Sequence, residues 1–335
     1  MRIGRNEKCP CESGKKFKNC CINDPKYSAI RLNNGTLRKY MSEFALHTYS
    51  SQVSIVYPKQ LETVDVSNAD FHIYMINKIK RLSFIENSIK VLNTHVEVQI
   101  KHGGTLITKI ETIKIPLHKK VVGYEFEGDK ILIMKDGYGG GLKVDILWLY
   151  SNFSTEELVC EVLYVGQSYG KKGDRDALIR LKSHETLQKI LIDILYEDIN
   201  SELAITLWEF TPRLITSMDG RNDFLVTEKE DKQHFEKVLS APPLIIDNQI
   251  INVTEAALIN YFKPIYNVNF KNNFPDATHK GYTFYYNYDY NAITVELDPS
   301  CVNIEIHSEH TGYSQFSPIK YLLNSEEKRK SMFIL

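Results

Sequence analysis

Cysteine is scarce outside the first two dozen residues, where only Cys160 and Cys301 follow an early group of four, so thiol chemistry is concentrated at one end of the chain. Apolar runs long enough to cross a bilayer are missing, and no membrane segment is expected. Net charge is also missing. The 41 basic and 42 acidic residues leave a formal charge of −1, which argues against a wholly basic nucleic-acid binder and confines any such contact to local patches. No apolar leader precedes the early cysteines, which follow MRIGRNEK, so the expectation is a cytoplasmic protein with reduced thiols. What is plentiful is hydrophobic sequence, 43% of 335 residues, enough to bury a sizeable core in two or three domains.

The early group is GRNEKCPCESGKKFKNCC, with Cys9, Cys11, Cys20 and Cys21 as four closely spaced thiols. Zinc takes four soft ligands tetrahedrally, and a segment this short has no core of its own, so metal binding would supply its folding energy. Reduced thiols favour a metal over disulfides. Arg2, Arg5, Lys8, Lys15, Lys16 and Lys18 make the segment basic, which suits contact with nucleic acid or an acidic protein face. Residues 4–22 resemble the SEC-C zinc motif, found at the end of the SecA translocase and appended to many bacterial proteins. The resemblance implies a structural Zn2+ and a role in recruiting a protein partner.

A second set of polar residues runs through the later half. Residues 145–150 (DILWLY) and 158–166 (LVCEVLYVG) are apolar and rich in β-formers, and the polar stretch between them predicts a hairpin. Alternation then sets Tyr150 beside Trp148 and Ile146, and Tyr164 beside Val162 and Cys160, with both tyrosines on one sheet face. The glycine-containing, basic stretch QSYGKKGDR follows as an exposed loop. Asp174 caps a predicted helix with Ala177, Leu178, Leu181, Leu187 and Ile190 on its apolar stripe. Arg180 and His184 are four apart, hence one turn apart on one helix face. In NVTEAALINYFKPIYN, Asn252 or Thr254 caps a helix with Ala257, Leu258, Tyr261 and Phe262 facing inward, and Pro264 ends it at Lys263. Glu255 then falls in the first turn, where the helix dipole favours an ionised carboxylate able to hold a hard cation.

In this order the residues resemble a GIY-YIG nuclease domain over about residues 145–271. The resemblance matches Tyr150 and Tyr164 to the paired tyrosines, Arg180 to the arginine, His184 to the histidine, Glu255 to the metal glutamate and Asn267 to the terminal asparagine. Only the tyrosine of the first motif is kept, in Trp148-Leu149-Tyr150, and Val165 stands where isoleucine is usual. The long stretch from His184 to Glu255 is read as containing an insertion at about 211–249. The resemblance implies metal-assisted phosphodiester hydrolysis, with Glu255 holding one Mg2+ or Mn2+ and Arg180 clamping the phosphate. Tyr164, Tyr150 and His184 remain alternative bases. Gly166, Lys171, Lys172 and Arg175 are the expected substrate contacts, on nucleic acid and in particular DNA.

The fold class expected is therefore α+β: a small antiparallel sheet flanked by helices, of GIY-YIG type, preceded by a zinc module at 1–24 and an α+β domain of unknown role at 30–140. In that domain, residues 69–92 read as an amphipathic helix through Phe71, Met75, Ile79, Leu82 and Ile89. Strands follow about Gly103-Gly104 and Gly128-Asp129, and Gly137 to Gly141 read as a flexible connector. Residues 280–335 read as a β-rich tail, with a tyrosine-dense hairpin and a strand at VNIEIHSEH whose His307, Glu309 and His310 are ordinary surface residues. Two functions fit: a divalent-metal-dependent endonuclease, or a non-catalytic adaptor or nucleic-acid-binding protein that keeps the fold and recruits partners through the zinc module.

Overall fold

The structure, a computed structural model, describes residues 6–9, 11, 13–21, 38–62, 69–167, 185–218, 225–324 and 332–333. It is a mixed α+β protein in which sheet predominates. In chain order the strands are β1 (Ser42–Val56), β2 (Ile73–Lys80), β3 (Leu82–Phe84), β4 (Lys90–Val91), β5 (His95–His102), β6 (Lys109–Pro116), β7 (Val121–Glu127), β8 (Ile131–Asp136), β9 (Gly141–Asp145), β10 (Leu158–Gln167), β11 (Ser201–Met218), β12 (Ala292–Leu297), β13 (Ile304–Ser308), β14 (Thr311–Ser314) and β15 (Ser317–Leu322). The helices are α1 (Ile146–Phe153), α2 (Glu185–Glu197), α3 (Glu228–Ser240), α4 (Asn248–Phe262) and α5 (Thr283–Asn287).

The principal sheet has eight strands in the order β14-β13-β10-β2-β11-β1-β12-β15. Its centre, β10-β2-β11-β1, is antiparallel throughout, and parallel pairs β10-β13 and β1-β12 attach the outer strands. This differs from the small antiparallel sheet expected. The sheet draws strands from 42–80, 158–218 and 292–322, so the boundaries drawn at 140, 145, 271 and 280 do not separate independent sheets.

Alternation along the central strands divides the apolar side chains between two faces. On one face Ile73 and Met75 of β2, Ala204, Trp208 and Phe210 of β11, and Val162 and Val165 of β10 join the larger core, with α4 laid over them. On the other, Tyr74 and Ile76, Leu203, Ile205 and Leu207, and Leu163 pack beneath Leu187, Ile190 and Ile194 of α2. Three polar groups caught within the sheet share one oxygen, Thr206 Oγ1. Asn77 Nδ2 reaches Thr206 Oγ1 at 3.1 Å, and Trp208 Nε1 donates to the same oxygen at 2.9 Å.

Between the paired strands β2 and β10 the chain makes an excursion, residues 81–157, holding α1 and two smaller sheets: β3-β5-β4 with β6 on β5, and β7-β8-β9. A half-buried ion pair ties the excursion to the principal sheet. Lys130 donates to both oxygens of Glu202 on β11, at 2.7 and 2.6 Å, and to the Leu82 carbonyl. Glu202 also accepts from Tyr57 Oη at 2.8 Å and from the Leu82 amide at 3.0 Å. These bonds satisfy a carboxylate that would otherwise be costly to bury.

Several local expectations are corrected. Residues 69–92 form β2, β3 and β4 rather than a helix; because β2 is buried on both faces its apolar residues are continuous, and a helical spacing can be picked out of them by chance. The glycines at 137–141 are not a connector: the Asp136 carboxylate accepts from the Tyr138 and Gly140 amides at 2.8 and 2.9 Å and closes a β8-β9 hairpin. The supposed insertion at 211–249 contains the second half of β11 and all of α3, whose Thr227/Glu230 capping box fixes its start. The tyrosine-rich stretch forms α5 and β12, and β12 pairs with β15 rather than closing a local hairpin.

Replacing Lys130 by Met strands Glu202 without its cation, and we expect a loss of about 3 kcal/mol in urea unfolding. Lys143→Met, which breaks the solvent-exposed Lys143–Glu127 pair, should stay within about 0.5 kcal/mol of the parent. Equal effects would show that the Lys130 network does not anchor the excursion.

Candidate functional site

The N-terminal thiols converge. A short β-bridge between Lys8 and Lys16 folds the segment back on itself, and the Phe17–Asn19 turn brings Cys20 and Cys21 to Cys9 and Cys11. All four Sγ atoms lie within 4.8 Å of one another, with Cys11 to Cys9 at 3.3 Å, Cys11 to Cys20 at 3.4 Å and Cys20 to Cys21 at 3.6 Å. Sulfurs ~2.3 Å from a tetrahedral zinc are spaced comparably, so the donor set fits such an ion. Ser13 Oγ sits 3.2 Å from Cys11 Sγ and 3.1 Å from Cys20 Sγ. Its hydrogen bond is the main cause that lowers Cys11 to about 6, whereas desolvation, then hydrogen bonds from neighbouring thiols and the Cys11 charge, push Cys21 upward. Four crowded thiols resist ionising together, and a divalent cation removes that conflict.

The expected pairing of Tyr150 with Tyr164 does not form. Residues 146–153 are the helix α1 because the Asp145 carboxylate caps it, accepting from the Leu147 amide at 2.8 Å. Tyr150 is buried in the larger core, its ring 5.5 Å from that of His102, and desolvation is the first cause that pushes its phenol well above the usual range. Nearby, Ser154 donates to Glu111 at 2.5 Å. A proton acceptor for water attack is not available from a phenol so placed.

Tyr74, not Tyr150, is the tyrosine on the strand beside Tyr164. In the antiparallel β10-β2 register Tyr74 faces Gly166 and Ile76 faces Tyr164. The Tyr74 and Tyr164 ring centroids are 6.1 Å apart and their planes differ by 30°. A Cβ on Gly166 would lie 2.5 Å from Tyr74 Cζ and 2.8 Å from Tyr164 Cε1, so only glycine lets both rings lie against this strand. The signal was legible in Phe71-His72-Ile73-Tyr74, a β-rich run ending in tyrosine, but the helical reading of 69–92 concealed it.

Glu255 lies in the middle of α4 rather than its first turn, because the cap is Asp247, which accepts from the Ile250 amide at 2.8 Å. Its ionisation therefore gains little from the helix dipole, which acts over the terminal turn. Thr254 is buried and bonds back to the Ile250 carbonyl at 2.7 Å. The helix ends at Phe262, with Lys263 in the left-handed region (φ 47°) before Pro264. Asn267 holds strand β10: Oδ1 accepts from the Val165 amide at 2.9 Å and Nδ2 donates to the Val165 carbonyl at 2.8 Å, replacing a neighbouring strand. The Tyr164 side chain packs on the face of the sheet covered by α2, whereas Glu255 is carried by α4 on the other face; the link between them is at the end of β10, where Gln167 Nε2 donates to Asn252 Oδ1 at 2.5 Å. Arg180, His184, Lys171, Lys172 and Arg175 lie outside the described residues.

The SEC-C motif family matches residues 5–23. No curated protein and no solved structure matches the chain. Among the described residues no helix is long and apolar enough to cross a membrane.

Protein purified with zinc present should carry one zinc per chain by elemental analysis, and Cys20→Ser should lower that content; full retention in the variant would remove Cys20 from the ligand set. A separate expectation concerns Asp145, which desolvation raises to about 6 against lowering from the Leu147 amide, Lys59 and Lys130. An acid that binds its proton more tightly when folded favours the native state while protonated, so this contribution fades as pH rises from about 4 to about 6. Asp145→Asn keeps a cap and should flatten the stability profile across that interval; an unchanged profile would show that Asp145 is not its source.

Proposed function

We propose that this chain is a divalent-metal-dependent endonuclease that hydrolyses phosphodiester bonds in nucleic acid, DNA in particular, through a GIY-YIG-like centre whose first tyrosine is Tyr74. The observation that carries the reading is the β2-β10 register, which opposes Tyr74 to the Tyr164-Val165-Gly166 tripeptide and rests both rings on Gly166. Two adjacent antiparallel strands with paired tyrosines are what the resemblance calls for, although Tyr74 opens β2 where the family's first tyrosine closes its strand, and residues 81–157 are then an elaboration inserted between the two strands. The Gln167–Asn252 bond supports the reading further, because it joins the same strand end to α4, one turn from Glu255.

On this reading the reaction centre is the end of β10. Glu255 is the residue that would hold Mg2+ or Mn2+, and a half-exposed single carboxylate suits an ion that keeps several waters and takes its remaining ligands from phosphate. The bound ion supplies charge stabilisation at the phosphorus and the leaving oxygen. Tyr164, half-buried above the fully buried Tyr74, is the phenol with access to a substrate. Arg180 would clamp the phosphate, with His184 as an alternative base and Lys171, Lys172 and Arg175 as backbone contacts. Asn267 acts as a positioning residue by fixing Val165. The zinc module would recruit a partner or substrate.

The complete burial of Tyr74 favours a second reading, a non-catalytic adaptor or nucleic-acid-binding protein with the same fold. Purified protein incubated with single-stranded DNA, duplex DNA and RNA, with Mg2+ or Mn2+, separates the two. Cleavage by the wild type, with a loss of about a hundredfold or more in Glu255→Gln and Tyr164→Phe, is expected. Tyr150→Phe should cleave at the wild-type rate, since that ring is core. Equal cleavage by wild type and Glu255→Gln would sink the mechanism, and no cleavage of any substrate would favour the adaptor.

A further inference from the structure

We infer that the cleft bounded by α3, α5 and residues 39–40 is a subsite for one unstacked nucleotide of a single strand, with its base against the cleft tyrosines and its phosphate on Lys237. The cleft encloses about 480 Å³ and is lined by Lys39, Tyr40, Lys237, Tyr286 and Tyr288, with the Gln233 and Asn287 amides beside them. Its floor is packed: the Tyr40 and His234 rings stack at 3.6 Å and 11°, and His234 Nε2 lies 3.1 Å from the Tyr288 carbonyl oxygen. Phe284 backs Tyr288 at 4.1 Å and 23°.

The charges are unevenly committed. Lys39 pairs with Asp289, whose carboxylate also accepts from Tyr40 Oη at 2.8 Å. Glu230 is engaged with Thr227 in the capping box of α3. Lys237 bonds the Asn287 carbonyl at 2.8 Å, and among the described residues no carboxylate pairs with it. Among the described residues of the wall, Lys237 is thus the cation left for an anion, one enough for a single phosphate.

Both ammonium groups lie over rings, Lys39 at 5.2 Å from the Tyr40 centroid and Lys237 at 4.7 Å from that of Tyr288. An exposed cation–π contact is weaker than base stacking on an aromatic ring. An entering base therefore displaces Lys237 from Tyr288 and frees its ammonium for the phosphate, while Gln233 and Asn287 offer hydrogen bonds to the base edge. This combination of ring, cation and amide is the chemistry of a nucleotide in a single strand.

The cleft is also linked to the end of β10 through α4. The Phe284 amide donates to Gln249 Oε1 on α4 at 3.0 Å, and Asn252, which bonds Gln167, also reaches the Gly281 carbonyl at 3.3 Å. The five residues of α5, roughly 7.5 Å long, therefore bridge the end of β10 and the cleft. Calling the occupant a substrate rests on the endonuclease reading; binding of a strand does not.

Fluorescence anisotropy with a labelled single-stranded DNA oligonucleotide, at fixed salt and in the Glu255→Gln background, tests the subsite. Adding Lys237→Gln or Tyr288→Leu should weaken binding about tenfold, Lys237→Arg should restore most of it, and duplex affinity should change less than single-strand affinity. Thermal unfolding of Lys237→Gln, a surface change, should match the parent. Parental single-strand affinity in both variants, or equal losses on duplex, would overturn the subsite. Failure of the wild-type protein to cleave any strand would instead overturn the endonuclease reading and leave the anisotropy result standing.

Discussion

The antiparallel contact between β2 and β10 is the constraint on which the remaining architecture depends. It joins strands separated by residues 81–157, so its formation carries the loop-closure entropy of that whole excursion. The cost is offset from both sides. Apolar residues of β2 and β10 enter both cores, and the Lys130–Glu202–Tyr57 bonds hold the excursion against β11. At the strand end, past the β13 pairing that stops at Glu161, the Asn267 amide takes over Val165, and the one glycine of β10, Gly166, receives two aromatic rings. Fold and candidate chemistry thus share one piece of backbone.

This arrangement explains which parts of the chain could be read in advance. The cysteine cluster was legible because its ligands are close in sequence and need no long-range partner. The Pro264 end of α4 and the β5 and β6 strands were legible for the same reason: a ring that cannot continue a helix, and a clean alternation about glycine. Residues 145–150 failed because their apolar, β-prone composition outweighed one polar side chain, and Asp145 as a cap made them helical. The helix at 69–92 failed because burial on both faces erases the period of two. Tyr74 was missed in consequence, since a tyrosine assigned to a helix cannot be the partner of one on a strand.

Glu255 is a milder case. Its helix was recognised, but the start was placed about one turn and a half late, because Asn252 and Thr254 resemble caps and Asp247 is the one that works. The polar residues that misled this reading have other employment, Asn252 on Gln167 and Gly281, Thr254 on the Ile250 carbonyl. Asn252 thus marks a contact to the strand and loop around the proposed centre, whereas Thr254 bonds back within its own helix.

The outer strands of the principal sheet have a consequence for biosynthesis. β13 and β14 complete one margin and β12 and β15 the other, so both margins are supplied by residues 292–322. A ribosome that has released everything up to α4 has produced a core whose strands β1 and β10 still present open backbone along their outer sides. Such margins invite pairing with other chains. The molecule therefore reaches a protected state only after residues 292–322 have emerged, which gives chaperones a defined interval in which to act.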